Sequence, residues 1–351
     1  MKKLKTKNHF VPKIYLKQWA TINRIYEYKL LVSHEQVPKW NSVSITNTST
    51  VDSLYLYVEE GELSDEMEDY FSNEFEMKFG SFVDHVNRKK LISELDHDYI
   101  SKLVVGQYLR TLRGYQWAQN IVIKQYPKII EELSQKMNHE LANKGEIPKR
   151  KIDKYDMLLP LKMDINPADG DKSLLKIESY AGKSTWIMGI KHVLNSTYKA
   201  LNSASWTIYE APLNFYWTTS DDPVIFLNFY GKDDYDFNGG FGNPGTEIIF
   251  PISPQKLLYT KIGVKSEEEY LVATYKVAEL FQKLIVEHAF TKVYSQDKNH
   301  RVTKIRKRTV DKDKYSDVEQ SLKNFHRSYM ENEVPYLELN LENYSTSKDL
   351  T

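Results

Sequence analysis

The chain has 351 residues, of which 41% are hydrophobic and 13% aromatic, with no cysteine and with 48 basic side chains against 48 acidic ones. That length and hydrophobic share support one large core or two smaller ones and exclude global disorder. The missing cysteine excludes disulfides, thiolate metal sites and a cysteine nucleophile, and zero net charge argues against a protein that holds duplex nucleic acid mainly through its phosphates.

Residues 1–60 read as irregular structure with short strands at 22–31 and 53–58, where β-branched and aromatic side chains gather. Ser64 offers an N-cap to a helix whose Met67, Tyr70, Phe71, Phe75, Phe79, Phe82 and Val86 recur at helical spacing. A second helix is expected over 98–123. A third starts near Pro127, runs toward Leu141 and stops at Gly145 and Pro148. The lysine-rich, then proline- and glycine-bearing stretch 146–172 reads as an internal linker. A helix is expected over 173–200, with a break near Ala181 and Gly182.

From Trp206 the texture changes to short strands at 206–209, 215–219, 224–229, 247–250 and 257–260, with a mobile loop at 231–246. A helix starting at 267 or 273 then runs to about 294, and Leu322, Phe325 and Tyr329 share one face of a short final helix. The pattern is α+β: a helical central region packed with N-terminal and C-terminal short-strand segments. It reads as one compact domain over 1–298 and a charged extension over 299–351. The start of the chain is broken by His9, Lys13 and Lys17, which does not suit a secretory signal, and no apolar stretch reaches the roughly 20 residues that span a bilayer. A cytoplasmic protein without membrane contact is expected.

Two motifs carry most of the polar chemistry: Asn8-His9-Phe10-Val11-Pro12-Lys13-Ile14-Tyr15-Leu16 and Thr218-Thr219-Ser220-Asp221-Asp222-Pro223-Val224. His9 suits general acid–base work or metal ligation, or else a backbone-bonded anchor for the N-terminus. Asp221 and Asp222 cannot share one strand face, so one can orient His9 or hold a divalent metal while the other caps a turn. Ser220 lacks the glycine-flanked elbow of a serine nucleophile. Arg110 and Arg113, an i,i+3 pair one turn after Gln107, suit a phosphate or carboxylate, or pair with the acidic residues of 59–76. Gly182-Lys183-Ser184 ends like a phosphate-binding loop but lacks its upstream glycine. His288 stands outside any zinc motif. Lys304, Arg306, Lys307 and Arg308 form a basic run that suits an acidic partner or a solvated surface.

Taken in order, His9, Pro12, Tyr15, Leu16 and Trp19, then Arg110 and Arg113, then Trp206, Thr219, Ser220, Asp221 and Pro223, then Pro251, Ser253 and Pro254, and last Ala289 and Tyr294 resemble the bacterial and phage-associated proteins grouped as domain of unknown function 4238 (DUF4238). The resemblance covers roughly residues 5–298 and implies no settled activity. One departure concerns the helix before Ala289: the family pattern carries an asparagine there, whereas 281–286 has none, which argues against a polar role for that helix.

The functional expectation is a hydrolase acting on a phosphorylated small molecule or a nucleic acid. His9 is its acid or base, Asp221 orients His9 or binds a divalent metal with Asp222, and Arg110 neutralises charge. Arg113, Gln107, Ser220 and Tyr15 contact substrate. The alternative is a non-enzymatic interaction or sensor protein in which both motifs are structural and the 231–246 loop meets a protein partner.

Overall fold

The structure is a computed structural model that describes residues 4–59, 61–90, 92–144, 161–167 and 173–337. It is an α+β fold. Six strands form the largest sheet, in the order Asp234–Asp236, Ile225–Gly231, Glu247–Pro251, Lys256–Lys261, Thr207–Glu210 and Tyr270–Val272. All neighbours are antiparallel except the last pair. A four-stranded sheet has the order Thr219–Ser220, Lys292–Ser295, Arg24–Lys29, Asn41–Ser44. This second sheet interleaves the two ends of the domain, because an N-terminal strand lies beside one from residue 292 onward.

One apolar cluster runs from Phe10 and Trp19 through Phe71, Phe75 and Trp186 to Phe250, Tyr329 and Val334. The N-terminal arm, the helices, the large sheet and the C-terminal helix therefore share a core. That helix, Lys312–Asn332, has 21 residues, more than the short helix expected, and starts at an Asp311 cap that accepts from the Lys314 backbone N–H. Half of the basic run before it is tied to the fold, with Arg306 donating to the carbonyls of Glu287 and Ala289 and Arg308 to those of Glu35 and Val37, while Lys304 and Lys307 are exposed.

Several expected elements differ. Residues 173–179 are not helical: Ser173–Ser179 is a strand paired with Leu161–Pro167, and the helix begins only at Lys183. The alternation Leu161, Met163, Ile165 against Lys162, Asp164, Asn166 is a period-two pattern, so this part of the expected linker is a hairpin. The rest of that linker, like the expected helix end at Gly145 and Pro148, lies outside the described residues. The 231–246 segment holds the strand Asp234–Asp236 and is tied down by Thr246, whose hydroxyl accepts from the Gly240 N–H. The helix expected to reach about 294 ends at His288, and Lys292–Ser295 is a strand.

The largest departure positions the site. Helix Glu94–Leu109 begins at Ser93, capped reciprocally with Asp96, and stops at Arg110. A new helix, Leu112–Lys144, then runs through Pro127. Three side chains fix the break. Trp186 Nε1 donates to the Leu109 carbonyl at 2.9 Å, the Tyr55 hydroxyl donates to the Arg110 carbonyl at 2.6 Å, and Thr111 Oγ1 accepts from the Gly114 N–H at 3.0 Å. These bonds satisfy carbonyls at one helix end and an N–H at the next helix start. Arg110 and Arg113 consequently do not share a helical face. Gly114 makes the tight turn possible, since a Cβ there would lie 2.4 Å from the Leu109 carbonyl oxygen. Gly114→Ala is expected to destabilise the fold by roughly 2 kcal/mol, read from the denaturant midpoint. An unchanged midpoint would mean that the break relaxes freely.

Candidate functional site

Around His9 the polar groups face inward. Strand Lys7–His9 pairs with Thr50–Asp52, which buries His9 to 6% exposure. Arg110, 1% exposed, donates through Nη2 to the His9 carbonyl at 2.5 Å and through Nη1 to Glu76 Oε1 at 3.2 Å. Its guanidinium lies over the Phe71 ring, 4.3 Å from the centroid. Gln107 Nε2 donates to the Phe10 carbonyl at 3.0 Å. Arg110 and Gln107 thus hold backbone, one residue apart, at the start of the motif.

Tyr15 and Trp19 make the link to the second motif. The Tyr15 hydroxyl donates to the Pro251 carbonyl at 2.6 Å, so its 2.6 Å contact with Thr219 Oγ1 has threonine as donor. Trp19 Nε1 donates to the Trp217 carbonyl at 2.8 Å. The motifs do meet, but through the Tyr15 hydroxyl, with the Trp19 indole bonding just beyond both of them, rather than through His9 and Asp221.

Asp221 is spent on the turn after helix Tyr275–His288. Its Oδ1 accepts from the Phe290 N–H at 2.9 Å, and its Oδ2 accepts from the Thr291 N–H at 2.8 Å and the Thr291 hydroxyl at 2.5 Å. Both oxygens are thus engaged by donors of the chain, and the side chain is 1% exposed. Ser220 Oγ accepts from the Asp222 N–H at 3.1 Å, an ST-turn rather than a nucleophile's setting. Among the described residues no group of three His, Asp or Glu side chains is arranged to hold a metal ion.

Asp222 points the other way, into a cluster with Thr111, Arg113 and His288. Oδ1 accepts from Thr111 Oγ1 at 3.2 Å, and Oδ2 is ion-paired with Arg113 Nε and lies 3.5 Å from His288 Nε2. His288 Nδ1 faces the Asp222 carbonyl at 3.1 Å, so Nδ1 carries the proton, and Arg113 Nη2 donates to the His288 carbonyl at 2.6 Å. The Nε2 lone pair then faces a carboxylate oxygen, an arrangement that favours a proton between them. Burial, opposed by Arg113, raises Asp222 to about 6, while burial and then Arg113 lower His288 to about 3. Both side chains are buried, and Arg113, 36% exposed, is where this cluster meets solvent.

Sequence reasoning set aside two residues that matter here. His288 closes the Asp222 cluster. Gln282, in the stretch where the family asparagine is missing, donates to Thr218 Oγ1 at 2.7 Å and accepts from the Thr218 N–H at 3.0 Å. The helix therefore does have a polar role, supplied by a longer amide. Its signal was an amide and an imidazole among the apolar residues of one helix, Gln282 and His288 against Phe281, Leu284 and Ile285.

The profile described as protein of unknown function (DUF4238) matches residues 7–299. The chain belongs to the DUF4238 family. No curated protein and no solved structure matches it significantly. The matched span contains both motifs and both arginines and ends before the C-terminal helix Lys312–Asn332.

The buried histidines make stability depend on acid. Burial, then the charges of Lys13 and Arg110, push His9 from its ordinary 6.5 down to about 4. Between those values the unfolded chain holds the proton more readily than the fold does. The His9 contribution is therefore complete above pH 6.5 and is lost as pH falls toward 4. Asp222 has the opposite sign, losing its contribution as pH rises from 3.8 through about 6. Replacing His9 with Asn is expected to flatten the acid-side loss between pH 6.5 and 4 by up to about 3 kcal/mol, measured as unfolding free energy against pH. An unchanged slope would place a charged, solvated imidazole at His9.

Proposed function

We propose that this DUF4238 chain is a non-enzymatic interaction or sensor protein whose two motifs are structural. One observation carries the reading: Asp221, Arg110 and Tyr15, three of the polar groups expected to do chemistry, are bonded within the fold, although His9 Nε2 is buried without a partner. Asp221 meets three donors of Phe290 and Thr291, Arg110 meets His9 and Glu76, and Tyr15 meets Thr219 and Pro251. The crevice beside them, lined by Pro12, Tyr15, Glu76, Gln107 and Phe250 among others, has about 10 Å³ of free space, room for at most one water. A substrate has no volume to enter there.

A second reading, a hydrolase acting on a phosphorylated or nucleic-acid substrate, is favoured by a different observation: Arg113 reaches solvent while holding Asp222 beside His288. In that reading Asp222 and His288 exchange the proton and Arg113 receives the anionic group. His9, Asp221 and Arg110 support the walls.

The readings separate on turnover. The full chain is assayed with Mn²⁺ against phosphomonoesters, phosphodiesters, DNA and RNA, beside Asp222→Asn and Asp221→Asn. On the non-enzymatic reading no substrate is turned over above background. Asp221→Asn lowers stability by roughly 2–3 kcal/mol, because an amide N–H then faces the N–H donors of Phe290 and Thr291. Turnover that disappears in a folded Asp222→Asn variant would establish the hydrolase instead.

A further inference from the structure

Two of the most exposed aliphatic side chains among the described residues stand on tight turns. Ile22 and Asn23 form a two-residue hairpin turn, closed by the Thr21 N–H on the Arg24 carbonyl at 2.9 Å and the Arg24 N–H on the Thr21 carbonyl at 3.0 Å. Both central residues have positive φ, 49° for Ile22 and 60° for Asn23. Asparagine and glycine suit that conformation, and a β-branched side chain suits it least. Ile22 is nevertheless 91% exposed, so no packing offsets the strain. The second turn runs from Pro212 to Phe215, closed by the Phe215 N–H on the Pro212 carbonyl at 3.0 Å, with Asn214 at φ 61°. Its Leu213 is 82% exposed, and the Tyr275 hydroxyl donates to the Leu213 carbonyl, which holds this tip in place.

The four-stranded sheet brings the two turns to one of its ends. Strand Lys292–Ser295 is antiparallel to both neighbours, with Tyr294 opposite Thr219 on one side and Ser295 opposite Tyr26 on the other. Strands Arg24–Lys29 and Thr219–Ser220 therefore begin where Lys292–Ser295 ends. The Trp19 indole, bonded to the Trp217 carbonyl at 2.8 Å, ties the two approaches together. Arg301, which follows Lys292–Ser295, lays its guanidinium over the Phe215 ring, 4.8 Å from the centroid. Exposed Tyr216, Val272 and Tyr275 widen the apolar part of this end.

The charge here is unbalanced in a chain whose net charge is zero. Arg24, Lys276, Lys298 and Arg301 are exposed beside the turns, against the exposed carboxylates Glu279 and Asp297. Aliphatic side chains raised on turns, tyrosines around them and cations outside form the layout of a surface that enters the boundary between lipid headgroups and acyl chains. The tips bury among the acyl chains, the tyrosine rings sit at the interface with wet hydroxyls, and the cations face anionic headgroups. A protein partner is matched instead by one contiguous apolar face, whereas these groups stand on separate turns.

We propose that the turns at Ile22 and Leu213 bind the surface of an anionic lipid bilayer. Such peripheral attachment needs no apolar run of the length that spans a membrane, so the sequence carries no run that announces it. The inference goes beyond the non-enzymatic reading and does not require it.

The test is co-sedimentation of the full chain with vesicles of phosphatidylcholine alone and of phosphatidylcholine mixed with about one third phosphatidylglycerol. Partition onto the anionic vesicles is expected to be roughly tenfold stronger than onto the neutral ones and to fall several-fold in raised salt. Ile22→Gly suits the turn and removes one tip, and Leu213→Ser removes the other. Each is expected to weaken partition onto anionic vesicles several-fold, and the two together roughly tenfold, in a chain that remains folded. No binding to anionic vesicles, equal binding to both vesicle types, or undiminished binding by the folded double variant overturns the proposal. So does self-association that the double variant abolishes without any vesicle binding, which assigns the tips to a contact between copies. None of these outcomes bears on turnover, by which the non-enzymatic reading is judged.

Discussion

The buried guanidinium of Arg110 is the constraint around which the rest is arranged. A cation at 1% exposure is tolerable only when paired and hydrogen-bonded. Its partners come from two other parts of the chain: the His9 carbonyl from the N-terminal strand, and Glu76 and the Phe71 face from one continuous helical stretch. Withdrawing any of them leaves a charge without solvent, so three segments must assemble together. The helix break at Arg110 and Thr111 follows from the same geometry. It turns Arg110 toward the N-terminal arm and lets Arg113, three residues later, reach Asp222.

The result is a polar seam between the N-terminal motif and the strand segment 218–222, with Tyr15 and Trp19 crossing it and Gln282 and His288 closing it from behind. Such a seam adds less net stability than an apolar interface of equal size, because each group gives up hydration before it is paired. What it contributes here is register: Tyr15, Trp19, Gln107 and Gln282 each donate to a specific acceptor, and a slipped strand would leave several of them buried and unpaired. That accounts for side chains that look catalytic in sequence and are consumed by the backbone in the fold.

Much of this was legible before any coordinates. The α+β class, the core stripe at Phe71, Phe75 and Phe79 and the strands around Trp206 and Val224 follow from local pattern. The misread parts share a cause, which is that long-range pairing decides them. Residues 173–179 become a strand because Leu161–Pro167 lies alongside. The helix break at 110 is set by Trp186 and Tyr55, both distant in sequence. Adjacent carboxylates gave no sign of which neighbour each would meet. Asp221 turns to Phe290 and Thr291, whereas Asp222 turns to Arg113 and His288. A single histidine or glutamine on an apolar helix has no spacing signature, so His288 and Gln282 became visible only as partners.

The most direct test of the seam is a double-mutant cycle between Tyr15→Phe and Thr219→Val, with unfolding free energy as the readout. Each substitution removes one hydroxyl of the 2.6 Å contact while nearly keeping its shape. If the two motifs are locked together there, the cycle yields a coupling of about 1 kcal/mol. Strictly additive effects would contradict the account, because Tyr15 and Thr219 would then stabilise the fold independently and the motifs would have no structural reason to meet.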